Sequence, residues 1–301
     1  MKLMDYGVKP IDFQNPASAS GVPGAAEGLS RRSFVVTSLA SGFAVAAQPV
    51  LAQAITTDTR GLVAGEVSLP VADGKIPAYV ARPAKAGKHP VVLVVQEIFG
   101  VHEHIKDMCR RYAKMGYYAI APEMFARQGD VSRMTDIGAI LSQVVSKVPD
   151  AQVCADLDAA VAFARASGHA DARRVGLVGY CWGGRTAWVY ARHNPQLKAA
   201  VAYYGLLSGM KSDIKPADPV DFAAELKVPV LGLYAGTDAF VKAEVVDQMR
   251  AGIAKSGSGS EIVVFPNVNH GFNADYRPTY DKGAALYAQK LAFDWLKDHG
   301  V

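Results

Sequence analysis

The sequence is poor in cysteine: of 301 residues only Cys109, Cys154 and Cys181 carry a thiol. An odd number leaves at least one unpaired, and their spacing fits neither a zinc-binding nor a C-x-x-C redox pattern. His102 and His104 in "GVHEHIKD" stand two apart and do not share a helix face, so no metal is expected there. They are expected to cap a helix or to rim a pocket above Glu97. Charge is nearly balanced, at +4, with no basic run or basic-aromatic patch, which argues against a nucleic-acid partner. The chain also lacks internal repeats, low-complexity linkers, a G-x-G-x-x-G turn and a Gly-Lys-Ser/Thr loop, so no cofactor is expected.

Long hydrophobic runs are scarce too. The one near the N-terminus lies in "LSRRSFVVTSLASGFAVAAQPVLAQA", where Arg31 and Arg32 precede a moderately apolar, uncharged stretch that ends in Ala52-Gln53-Ala54. Paired arginines, such a stretch and an A-x-A site describe a twin-arginine export signal. Gln, Pro, Ser and Gly interrupt the run, which makes it a poor spanning helix, so no stable membrane anchor is expected. Residues 1–54 are therefore read as a signal recognised by the twin-arginine machinery. Residues 55–301 are read as one domain, and the mature protein is expected to be periplasmic or secreted.

What is present is regular alternation. "GEVSLPVADGKIPAYVARP" reads as a hairpin around an Ala-Asp-Gly turn. Short apolar runs ("HPVVLVVQ", "YYAIAPE", "RRVGLVG", "LKAAVAYYG", "VPVLGLYAG", "EIVVFPN") then interleave with helical patterns, among them "RMTDIGAILSQVV", until "YDKGAALYAQKLAFDWLKDHG" closes the chain. Such alternation specifies an α/β fold: a mostly parallel central sheet with helices on both faces and an N-terminal antiparallel hairpin. In these sheets working residues sit in loops at the carboxyl ends of strands.

"LVGYCWGGRT" supplies the first candidate. Gly179-Tyr180-Cys181-Trp182-Gly183 has the G-x-nucleophile-x-G spacing of a nucleophile elbow, between a strand and a helix whose N-terminus favours a thiolate. The elbow needs an acid and a histidine, in that order along the chain. Asp238 follows the strand "VPVLGLYAG", and His270 follows "EIVVFPN". Roughly one βα unit separates each from the one before. Glu97 ends the strand "HPVVLVVQE", where it could hold a proton or take one from the thiol. The amides of Ile98 and Trp182 are the expected oxyanion donors.

Together, "QEIFGV", "GYCWGG", "AGTDAFV" and "NHGFN" resemble the dienelactone hydrolase family, the carboxymethylenebutenolidases of the α/β-hydrolase superfamily. The resemblance covers nearly all of Val63 to Val301. It implies a Cys181-Asp238-His270 triad, an acyl-cysteine formed by opening an enol-lactone, and a resting thiol kept neutral by Glu97. Substrate binding then swings the glutamate to draw off the proton. It further implies that Arg127 in "PEMFARQGD" grips a substrate carboxylate and that Tyr204 lines the pocket. Two features depart from the family pattern. A second carboxylate-binding arginine, expected four residues after the histidine, is replaced by Ala274, with Arg277 the nearest substitute. An export signal is foreign to chlorocatechol breakdown, so the partner is expected to be another small lactone or ester. Alternative readings are a general carboxylesterase or acyltransferase of the same fold, or a thiol-based binding or redox-sensing protein. A sensor would have no use for a positioned Asp238 and His270.

Overall fold

The computed structural model describes residues 55–301; the expected export signal at 1–54 lies outside them. The chain opens with β1 (Leu62–Val71) and β2 (Gly74–Pro83), an antiparallel hairpin closed at Val71 and Gly74. Then follow β3 (His89–Val95), α1 (Glu103–Lys114), β4 (Tyr118–Pro122), α2 (Asp150–Ala166), β5 (Ala170–Tyr180), α3 (Trp182–His193) and β6 (Ala199–Tyr203). β7 (Val230–Ala235), α4 (Ala243–Ser256), β8 (Glu261–Phe265) and α5 (Lys282–Asp298) complete the order.

The strands form one eight-stranded sheet in the order β1-β2-β4-β3-β5-β6-β7-β8. The pairs β1–β2 and β2–β4 are antiparallel, and every pair from β4 to β8 is parallel. Successive residues of a strand point to opposite faces, yet every residue of β6 and β7 is buried. Helices must therefore cover both sides, which is why these strands are continuous apolar runs rather than alternating ones. This is the mostly parallel sheet with helices on both faces and an N-terminal antiparallel hairpin that the alternation of elements led one to expect.

One expected helix is broken. "RMTDIGAILSQVV" falls into separate short turns: a 3-10 turn (Val131–Arg133), one α turn (Ile137–Ala139) and a widened π turn (Ile140–Val144). Asp136 starts a new turn by accepting the Ala139 amide, and the Ser142 and Ser146 hydroxyls donate to carbonyls four residues back. Side chains that bond the backbone in this way compete with a regular helix.

The turn between β5 and α3 is built of backbone against backbone. Cys181 has φ 54° and ψ −110°, a conformation that costs a side-chain-bearing residue on the order of 1–3 kcal/mol. Gly183 donates its amide to the Gln96 carbonyl at 3.1 Å, and Cys181 donates to Tyr203 O at 3.0 Å. A Cβ on Gly179 would lie 1.8 Å from Gly183 O, and one on Gly183 would lie 2.4 Å from Val95 O. Behind the turn, the Arg185 guanidinium donates to both Asp150 oxygens (2.7 and 2.9 Å) and so ties α3 to α2.

Gly183→Ala is expected to lose about 3 kcal/mol or more in urea unfolding, because the clash is with main chain that cannot rotate away. Gly65→Ala, where a Cβ meets open space, should stay within about 0.5 kcal/mol of the parent.

Candidate active site

Each candidate group stands just beyond the end of a strand. Glu97 follows β3, Cys181 follows β5, Tyr204 follows β6, Asp238 follows β7 and His270 follows β8. Parallel pairing puts those ends side by side. Two further contacts close the last pair of loops: Gly236 N donates to Phe265 O at 2.7 Å, and the Thr237 hydroxyl donates to Val268 O at 2.7 Å.

The structure brings Cys181, His270 and Asp238 into line. His270 Nε2 lies 3.2 Å from Cys181 Sγ, and His270 Nδ1 lies 2.8 Å from Asp238 Oδ2. The other Asp238 oxygen accepts the amides of Phe240 and Val241 at 2.8 and 3.2 Å, which fixes the carboxylate's orientation. The rings of Phe240 and Tyr204 stand edge-on to the imidazole, each with centroids 5.0 Å away. Burial works against the imidazolium of His270. The Asp238 carboxylate and the Cys181 sulfur outweigh it and raise the imidazole to about 10. Cys109 and Cys154 are buried away from any such base, and burial pushes their thiols up, that of Cys154 to about 12.

The two expected oxyanion donors flank this line. Trp182 begins α3 directly after the sulfur, and Ile98 lies two residues beyond the Gln96 carbonyl that Gly183 holds. Neither amide donates to another backbone group among the described residues, which leaves both available to a ligand.

Glu97 is fully buried and faces a different set of partners from the expected one. Arg277 Nη2 lies 3.0 Å from Oε1, as an ion pair rather than an aligned hydrogen bond. The Tyr276 hydroxyl donates to Oε2, and His102 Nε2 lies 3.7 Å from the same oxygen. The carboxylate thus sits with Arg277, Tyr276 and His102 and makes no hydrogen bond to the sulfur. Burial opposes its ionisation, but the Arg277 guanidinium and then His102 win, holding it well below the ordinary carboxylate range. Tyr204 is buried within the same group, with a positive φ of 38°. Burial first, then the Glu97 charge, keeps its hydroxyl far above its usual value.

Arg127 is not brought to the site. Its guanidinium donates to both oxygens of Asp73 and both of Asp156, at 2.6–2.9 Å. Five such bonds leave the head engaged with carboxylates of the β1–β2 turn and of α2. The cation that does stand near the sulfur is Arg277, whose charge interacts with both Glu97 and Cys181. Arg277 stacks over the Phe99 ring at 5.1 Å. A cleft of about 460 Å³ opens beside these groups, walled by Tyr79, Phe99, Val101, His102 and Val131. Sequence reasoning named Arg277 only as a stand-in and missed Tyr276 altogether, because an isolated loop tyrosine carries no spacing signal. His102 and His104 diverge: the first borders Glu97 and the cleft, while the second is buried against Asp275 at 3.1 Å. No group of side chains suited to a metal ion occurs among the described residues.

The chain is similar to known proteins over most of its length. The model of the "Dienelactone hydrolase family" matches residues 76–300. A protein of Methylorubrum extorquens named "Putative carboxymethylenebutenolidase" is 57% identical over 274 residues, 91% of this chain and 94% of that one. A protein of the same name from Salmonella typhi is 49% identical, covering 88% of this chain and 98% of its own. The crystal structure titled "Putative Dienelactone Hydrolase" from Klebsiella pneumoniae superposes with a TM-score of 0.76 at 51% identity. That superposition covers 78% of this chain and 98% of the other.

Arg127→Ala is expected to cost about 2–4 kcal/mol in urea unfolding, since Asp156 is left buried without its cation. It should leave KM for carboxylate-bearing esters unchanged. The raised His270 imidazole also has a signed consequence for stability. A raised pKa stabilises the fold in full below the unfolded value of 6.5 and loses that contribution as pH climbs through about 10. The stability gap between the parent and Asp238→Asn should therefore be widest near pH 6 and narrow toward pH 10, as read by urea unfolding across that range.

Proposed function

Because the chain belongs to the dienelactone hydrolase family and is a hydrolase of that family, we propose that it cleaves a lactone or ester through an acyl-cysteine intermediate. The observation that carries this reading is the continuous line Cys181 Sγ–His270–Asp238, at 3.2 and 2.8 Å, on a strained strand-to-helix turn. His270 is in place to take the thiol proton, and Asp238 supports the imidazolium that results. The sulfur then attacks the carbonyl carbon, and the developing oxyanion is received by the Ile98 and Trp182 amides. The C–O bond of the ester breaks, and the departing oxygen takes the proton from His270. Water, deprotonated by the same imidazole, attacks the thioester; the acid leaves and the thiol is restored.

Glu97 and Arg277 make this line responsive to substrate. A carboxylate on the substrate competes with Glu97 for the Arg277 guanidinium. Once Glu97 loses that cation, its burial favours the protonated form, and it becomes a second acceptor for the thiol proton. Arg277 thus takes the carboxylate-binding role that the family pattern suggested for Arg127. Tyr204 sits against His270 and holds the imidazole plane. The twin-arginine pattern at residues 31–54 supports an exported enzyme that meets its ester outside the cytoplasm. An imidazole-paired thiol that turns over acyl groups suits that setting better than a free, oxidisable thiolate.

Mass spectrometry of the enzyme quenched during turnover of a short aryl ester is the direct test. An acyl group should appear on the peptide that contains Cys181. Cys181→Ala should abolish turnover, and Cys181→Ser should lose at least about 1000-fold in kcat, because one member of a unit that acts together has been altered. Full turnover by either variant, or acyl mass on any other side chain, would refute the thiol mechanism.

A further inference from the structure

Tyr276 and Arg277 belong to the segment that follows His270, and its position has an identifiable cause. Residues 271–281 wind into a coil whose first part, Gly271 to Asp275, is buried. Ala274 N donates to Gly271 O at 2.9 Å, Arg277 N to Ala274 O at 2.9 Å, and Asp281 N to Phe272 O at 3.0 Å. Gly271 adopts φ +79° directly under Arg277, where an added Cβ would come within 3.1 Å of the arginine side chain. In the middle of the coil Asp275 points away from the site and into α1. Its Oδ1 faces His104 Nδ1 at 3.1 Å, and its Oδ2 accepts from Arg111 Nη2 at 2.6 Å. Both Asp275 and His104 have side chains at most 2% exposed. Arg111 is itself braced by Asp107 Oδ2 at 2.7 Å.

A buried carboxylate held by two cationic or donor groups of another element is a rigid joint, since breaking one leg leaves an uncompensated charge. This joint links α1 to the coil within two residues of the groups that meet Glu97. The Tyr276 ring is packed between His102 and His104, at 4.9 and 5.4 Å. Its hydroxyl reaches Glu97 and accepts from Arg277 Nε at 3.2 Å. His270 has its own anchor on the other side of the segment: Asp238 holds its ring, and Gly236 and Thr237 hold the chain that leads into it at Phe265 and Val268.

We propose that Asp275, gripped by His104 and Arg111, is a positioning residue that presets Tyr276 and Arg277 and thereby determines how well the enzyme discriminates carboxylate-bearing from neutral esters. The proposal rests on the reading that Arg277 receives the substrate carboxylate. A preset guanidinium binds a carboxylate without first being ordered, and a loosened one does not. The groups that face Glu97 — His102 and His104 beside it, Tyr204 after β6, Tyr276 and Arg277 on the coil — keep their own side chains in Asp275→Asn and Arg111→Gln, so only their placement is changed.

The test compares mono(4-nitrophenyl) succinate, which carries a free carboxylate, with neutral 4-nitrophenyl acetate, on the parent, Asp275→Asn and Arg111→Gln. In Asp275→Asn, kcat/KM for the succinate ester is expected to fall about tenfold, mostly in KM, and in Arg111→Gln about threefold. Values for the acetate ester, and the rate of Cys181 alkylation by iodoacetamide, should change by less than about twofold. Equal losses on both esters, or none on either, would overturn the proposal, as would failure of both variants to fold. A parent enzyme that does not prefer the carboxylate would instead sink the assignment of Arg277, and the proposal with it. A parent that prefers it, with variants that prefer it equally, sinks the grip alone.

Discussion

Main-chain contact at one turn governs everything around it. The hydrogen bond from Gly183 to the Gln96 carbonyl exists because Gly183 lets the start of α3 approach β3 closer than any side chain allows, while Gly179 does the same between β5 and α3. That contact forces Cys181 into its positive φ and turns its sulfur out of the sheet toward His270. It also sets the chain after β3 beside the sulfur, so that Glu97 and the Ile98 amide fall on the same side. Packing, not propensity, does this: the turn is strained by itself and is stable only because the buried strands on either side leave it no alternative.

Around that turn the site divides into two charge systems that share a wall. One is the line through His270, in which a carboxylate supports an imidazole and the imidazole faces sulfur. The other is Glu97 with Arg277, Tyr276 and His102. Buried charges tolerate burial only when paired, and both systems obey this. In the second, Arg277 and Glu97 neutralise each other, and under the proposed mechanism a substrate carboxylate takes the place of Glu97 on the guanidinium.

Much of this was legible in the sequence, for a topological reason. A parallel sheet places the ends of consecutive strands side by side, so strand-end residues far apart in the chain can be named as neighbours before any coordinates exist. Cys181, Asp238 and His270 were legible in that way, as was the hairpin, from its period-two alternation and turn residues. Contacts between loops were not. Glu97 and Tyr276 are 179 residues apart and meet through a coil whose shape depends on Asp275 and Gly271, with no periodic signature. Arg127 shows the opposite error. The local stretch around it is family-like, but its outcome is decided by Asp73 and Asp156, carboxylates on two other elements. The segment around Ile140 failed for a smaller reason: its apolar spacing is helical, but serine hydroxyls and a new cap at Asp136 divide it.

The three sulfurs are therefore not chemically equivalent. Two are buried, with their thiols pushed up by burial, while the third lies within hydrogen-bond distance of an imidazole at the carboxyl end of the sheet. Of the three thiols this is the one placed to meet an electrophile, and under the proposed mechanism reaction there blocks the atom that attacks esters. Alkylation of that one sulfur would then register as lost turnover while the two buried thiols keep their places in the packing.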